Sequence, residues 1–210
     1  MQLSAIRSMA RSALRDDTVL TDAELTALAN LGYLDVAVKG VCCETRISVP
    51  DLPAGVALVP LTNVIRVNYV ACVNGSAEKG MLPVVPEAFC GYHYNGAAPQ
   101  IWFPWGDSIV IGPVPDAGTY DLALYAACTP AVAMSADADT PSDLPGEFHP
   151  CVAMFVEAFG CLKLRRWGDF AARYNRYIAG VQARKFEYVL KHPDNRGAAA
   201  VPDAVEVGYE

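Results

Sequence analysis

The chain has 210 residues, 53% of them hydrophobic and 19% charged, with a formal net charge of −7 and a mean hydropathy of +0.21. The acidic total argues against tight, sequence-specific nucleic-acid binding, and no run approaches the roughly 20 apolar residues that a membrane-spanning helix needs. So apolar a composition fits either a large core or an apolar surface kept for a partner.

Leu3, Ile6, Met9/Ala10 and Ala13/Leu14 recur at helical spacing and predict a first helix from about Gln2 to Arg15, broken by Asp16-Asp17. Its Arg7, Arg11 and Arg15 are not followed by an apolar core and a small-residue cleavage site. A signal peptide is therefore not expected, and synthesis and assembly in a cytosol are. Thr21, with Glu24 three residues on, makes a capping box that starts a second helix. Leu25, Leu28 and Leu31 or Gly32 carry its stripe toward Val38, and Gly40 is the expected stop.

From Val41 to Thr129 the period changes to two. Strands are predicted over 41–49, 64–73, 88–94, 100–104, 108–112 and 119–127. Asn74-Gly75 and Asn95-Gly96 are hairpin signals, and Gly118 after Pro115-Asp116-Ala117 is a third turn. Short strands with short turns predict a compact antiparallel sheet or small barrel. Phe89, Tyr92, Tyr94, Trp102, Phe103 and Trp105 either fill its core or meet a partner.

A third helix is predicted from about Glu147 to Trp167, with Phe148, Cys151, Val152, Phe155, Phe159 and Leu162 in one stripe. Trp167-Gly168-Asp169 reads as the break, with Asp169 capping a fourth helix that runs to about Lys191. Phe170, Tyr174, Tyr177, Val181 and Tyr188 share one side of it, and His192-Pro193 ends it. Residues 193–210 are too polar and glycine-rich to order themselves, yet Val201, Val205, Val207 and Tyr209 fall at alternating positions, as in an added strand or an extended arm.

The predicted class is thus α+β. N- and C-terminal helices (1–40 and 144–192) pack as a small bundle, an antiparallel β-sheet or small barrel (41–130) is inserted between them, and 193–210 forms a C-terminal arm.

Little in the sequence points to chemistry. The seven cysteines include no C-x-x-C, and Cys42 and Cys43 are expected on opposite faces of a strand, so buried free thiols are predicted. His93, His149 and His192 stand in no zinc-binding spacing, and Cys90 and His93 are expected to point apart. No phosphate-binding glycine motif occurs, and Asp137/Asp139 and Asp16/Asp17 lack a calcium-loop pattern. No catalytic, cofactor-binding or metal residue is assigned, and no cofactor is expected. Charge is uneven: residues 47–162 carry two basic residues and eleven acids, net −9, whereas 163–196 carry nine and three, net +6. The basic block reads as a solvated helix face or as the complement of a neighbouring subunit, with Arg165, Arg166, Arg173 and Arg176 as the candidate contacts.

Residues 109–151 put a short apolar strand, a Gly-Pro-x-Pro-Asp-x-Gly turn, an alternating strand through Tyr120, Leu122 and Leu124, an acidic loop and Leu144-Pro145 in front of a helix. This order resembles the head-to-tail adaptor (neck or connector) proteins of tailed bacteriophages, as do Leu3, Ile6 and Thr21–Leu25 in the opening helices. The resemblance implies a structural virion protein, not an enzyme and not membrane-bound. It implies a homo-oligomeric ring of twelve subunits in the neck, assembled in the host cytoplasm, with the portal protein on one side and the tail or a second neck protein on the other. Double-stranded DNA would pass through without specific contact. Val201, Val205, Val207 and Tyr209 would belong to an arm that docks on the portal or a neighbour. A third reading, which the sequence does not separate from an adaptor, is a tail-completion protein of the same virion. The alternative from another class is a small enzyme or ligand-binding domain with a site among Tyr92, His93, Tyr94 and Trp102.

Overall fold

The Glu24 backbone N–H donates to Thr21 Oγ1 at 3.2 Å, and the Glu24 carboxylate accepts from the Thr21 N–H at 3.0 Å. This reciprocal box opens α2 (Asp22–Gly40), as its spacing predicts. The structure is a computed structural model that describes residues 1–15, 19–89, 98–115 and 120–191. Asp16-Asp17, Cys90, Tyr92, His93, Tyr94, Asn95-Gly96, the Gly118 turn, His192 and the 193–210 tail lie outside the described residues.

Helix α1 (Leu3–Leu14) buries Leu3, Ile6, Ala10 and Leu14. No side chain caps its start. The Leu3 and Ser4 N–H groups donate instead to the carbonyls of Asp139 (2.7 Å) and Asp137 (3.2 Å), so the acidic loop satisfies the orphan donors. Asp139 holds that loop in shape by accepting from the Ser135 and Ala136 N–H groups, which keep its carboxyl below the usual range.

In α2 the buried stripe runs through Leu25, Leu28, Gly32 and Val36, and Leu31 points outward. A Cβ at Gly32 would stand 2.8 Å from the Phe155 ring, so glycine lets the two helices close up. Gly40 is likewise helical and makes room for Phe148. The left-handed stop falls one residue later, at Val41 (φ 51°). Cys42 and Cys43 therefore precede the first strand and are not part of it. Both are buried in the helical core, a correction to the expected opposite faces. The adjacent Cys43 sulfur and burial raise the Cys42 thiol well above its usual range.

The insertion contains two four-stranded sheets. One has the order β1 (Glu44–Val49), β8 (Asp121–Cys128), β3 (Val64–Asn74), β4 (Ala77–Gly80); the other has β2 (Leu58–Pro60), β7 (Ser108–Gly112), β6 (Ile101–Trp105), β5 (Leu82–Pro83). All pairs are antiparallel except β5–β6. Asn74 and Ala77 close the predicted β3–β4 hairpin around Gly75. Val70, Cys72, Leu122 and Leu124 from the first sheet meet Val59, Trp102, Ile109 and Ile111 from the second in one core. Of the strand expected at 88–94, Ala88 and Phe89 instead end a one-turn helix, α3 (Pro86–Phe89), with proline at its first position, where a missing N–H costs nothing.

The chain returns through a short 3-10 turn into α4 (His149–Lys163) and α5 (Trp167–Lys191). α4 packs against α1, α2 and α5 and is buried on nearly every side, which a single stripe did not foretell. The break between the two helices falls at Leu164–Arg166 and not at Trp167-Gly168-Asp169. Arg165 is left-handed (φ 58°), its N–H donates to Leu162 (3.0 Å), and the Arg166 N–H donates to Cys161 (2.8 Å). This paired closure ends a helix without glycine. Asp169 then lies inside the first turn of α5, where its charge suits the helix dipole. Among the described residues no helix is long and apolar enough to cross a membrane.

Candidate functional site

The four arginines singled out in the sequence divide into two pairs. Arg166 donates through Nη1 to the Leu14 carbonyl at 2.6 Å. Arg173 donates through Nη2 to the Ala13 carbonyl at 2.9 Å and pairs through Nη1 with the Glu157 carboxylate at 3.3 Å. Both bind the open C-terminal carbonyls of α1, where a cation is favoured. The other two, Arg165 and Arg176, are exposed and make no ion pair among the described residues. Arg166 and Arg173 thus hold the helices of one chain together.

Polar groups elsewhere are largely matched. An open groove along α1 is lined by Ser4, Arg7, Ser8, Arg11, Ser12 and Asp22. Arg7 pairs with Asp137, and Arg11 pairs with Asp22 at 2.8 Å, which lowers the Asp22 carboxyl. On the outer face of the first sheet, Tyr125 donates to Glu78 at 3.0 Å and Arg46 pairs with the same carboxylate at 3.2 Å. Among the described residues no three His, Cys, Asp or Glu side chains gather as metal ligands would. Cys42, Cys43, Cys72, Cys128, Cys151 and Cys161 are free thiols.

Of the alternative aromatic site, Trp102 is 5% exposed and lies in the β core, while Tyr92, His93 and Tyr94 lie outside the described residues. Phe89 and Phe103 meet edge to face on the other side of that sheet, and Trp105 is exposed beside them. Val201, Val205, Val207 and Tyr209 also lie outside the described residues.

Two helix faces expose apolar side chains. Leu31, Leu34 and Val38 stand exposed on α2, and Phe186 and Leu190 on α5, each opposite the face its helix turns to the core.

Over residues 1–199 the chain matches the family described as SU10 adaptor protein. The chain belongs to that family. It is a family of phage head-to-tail adaptors. The match takes in the helical body and the inserted sheets together. No curated protein matches the chain. In this adaptor the features that sequence reasoning missed are the outward apolar faces of α2 and α5. The 4-3-4 spacing of Ala27, Leu31, Leu34 and Val38 carried that signal, but the same helix offered a second, glycine-containing stripe that turned out to be the core.

Proposed function

We propose that this chain is a structural virion protein that forms a ring in the phage neck, between the portal protein and the tail or a second neck protein. The observation that carries the reading is the family match over residues 1–199. A ring of twelve is what the resemblance to head-to-tail adaptors implies, with double-stranded DNA passing through the lumen. Head-to-tail contacts that close on rotation produce such rings. A surface divided into a basic helical block and an acidic insertion suits contacts of that kind.

In this reading Arg165 and Arg176 face the neighbouring subunit, and Arg166 and Arg173 stiffen the body that presents them. The tail, with Val201, Val205, Val207 and Tyr209, is the arm that docks on the portal or a neighbour and orders on contact. Assembly takes place in the host cytoplasm and the protein ends in the virion neck.

The test is a truncation read in assembled particles. Full-length protein should appear at the portal vertex as a closed ring by electron microscopy. Deleting 197–210 should leave folding and solubility intact and lower occupancy at that vertex. Truncated protein at normal occupancy would move docking to the terminal helices. Absence of the full-length chain from purified virions would overturn the adaptor reading.

A further inference from the structure

The first sheet ends at β1, whose outer side pairs with no strand among the described residues. The Cys128 N–H donates to the Cys43 carbonyl at 2.8 Å, and the next pair along is Glu44 with Ala127. Antiparallel pairs alternate between bonded and non-bonded positions, so Thr45, Ile47 and Val49 bond to β8. Arg46 and Ser48 turn their backbone N–H and C=O groups the other way, out of the edge of the sheet, and both residues are exposed. Ile47 and Val49 pack against the β core but are only half-buried, with no strand beyond them among the described residues.

We propose that residues 203–209 of the same chain add to this edge as a fifth strand, antiparallel to β1. The pairing belongs to the single subunit and does not depend on the adaptor reading; for an adaptor, it is where the arm lies before it docks.

Three observations select this occupant. The first is where the tail starts. The Tyr188 hydroxyl donates to the Glu44 carboxylate at 3.1 Å, so α5 ends, three residues later at Lys191, beside the first residue of β1. The opposite edge of the same sheet, β4, lies about 14 Å across from β1. The second is length. Residues 192–202 span up to about 35 Å, and the six residues of β1 are about 17 Å long. The linker therefore passes the Val49 end, and 203–209 runs back toward Glu44, as the other strands of this sheet run against their neighbours. So short a tether holds the segment near its own edge at an effective concentration that another copy does not match in dilute solution. The third is pattern. Val205, Val207 and Tyr209 share one side of an extended chain, with Asp203 at the end of the row. On the core side they carry on from Ile47 and Val49 and cover the half-buried rim. Glu206 and Gly208 then offer their backbone groups to those of Arg46 and Ser48.

Amide hydrogen exchange, read residue by residue by NMR, tests this on the full chain and on a chain lacking 197–210. In the full chain the Arg46 and Ser48 amides should exchange about tenfold or more slowly than in the truncated chain. Thr45 and Ile47, bonded to β8, should be protected equally in both and report that the sheet is intact. Glu206→Pro keeps the length of the tail but removes an N–H that the pairing uses, and should bring Arg46 and Ser48 to the truncated rates. Unlabelled full chain mixed with isotope-labelled truncated chain should leave the labelled rates unchanged, because the arm acts within its own copy. Equal rates in full and truncated chains, or a Glu206→Pro chain as slow as wild type, overturn the pairing. Slowing of the labelled truncated chain in the mixture assigns the arm to a second copy and overturns it as well. None of these outcomes bears on whether the chain occupies the portal vertex, which particle occupancy decides.

Discussion

The Tyr188 hydroxyl donates to the Glu44 carboxylate at 3.1 Å and so fastens the last turns of α5 to the first residue of β1. Tyr188 is 8% exposed and packs edge to face on Phe148. Burial and the nearby Glu44 charge hold its hydroxyl protonated, well above the usual tyrosine range. The helical body and the inserted sheets are thereby tied by a hydrogen bond to a charged acceptor. Tyr188→Phe keeps the ring and removes the donor, and should cost about 1.5–3 kcal/mol in urea unfolding. In a double-mutant cycle with Glu44→Gln, a coupling near zero would show that the two parts are not joined there.

The two pairs of arginines should separate in a stability assay. Removing Arg173 frees the Ala13 carbonyl and strands Glu157, which is 8% exposed. Arg173→Ala is expected to cost about 3–5 kcal/mol, as for a buried pair that loses one partner. Arg176→Ala, at an exposed position, should stay within about 0.5 kcal/mol of wild type. Equal effects in thermal melts would contradict the division.

Gly32 and Phe155 set the distance between α2 and α4. Gly32→Ala gains about 1 kcal/mol of helix propensity, but the new methyl meets the Phe155 ring at 2.8 Å. Overpacking of that kind costs about 1–3 kcal/mol, so a net loss is expected, and one that Phe155→Leu relieves. Phe155→Ala alone should cost about 3–5 kcal/mol and appear as insoluble protein. A soluble, fully stable Phe155→Ala variant would mean that this face is not core.

His149 gives a pH dependence with a fixed sign. Burial holds its pKa below the ordinary 6.5, and the Met1 amino group, 2.6 Å from Nδ1, adds to the effect. Nε2–H donates to the Leu144 carbonyl at 3.1 Å, which offsets part of it. The folded form is therefore neutral. The unfolded chain takes up the proton first, so this contribution is complete above pH 6.5 and is lost as pH falls below it toward the lowered folded value. His149→Gln should flatten the decline in urea midpoint below pH 6.5. An unchanged slope would assign the decline to other groups.

What the sequence made legible was local. Thr21 and Glu24 sit three apart, and the box they form needs nothing else, so α2 starts where predicted. The end of α4 needs Arg165 in a left-handed turn, a conformation set by the two backbone bonds of Arg165 and Arg166 and not by residue type. Gly168 therefore drew the predicted break too far along. Short edge strands such as Leu58–Pro60 and Leu82–Pro83 carry too few residues to show a period, and they widen the β6–β7 pair into a four-stranded sheet. At the surface, Arg166 and Arg173 looked like Arg176 in one dimension. Only the position of the α1 carbonyls distinguishes them.

The helical core is assembled from segments on either side of the insertion, and that sets an order for the ribosome. Gly40 and His149 are separated by about a hundred residues, which take roughly 5–20 s to synthesise. Through that interval α1 and α2 have each other but lack α4, the helix that covers their buried faces. The insertion closes its own core with Cys128 already made, and can fold while the first helices wait. Nascent chains stalled with β8 outside the exit tunnel and α4 still inside it should therefore expose an apolar N-terminal pair beside a finished β-sandwich, and chaperone demand should fall once α4 emerges.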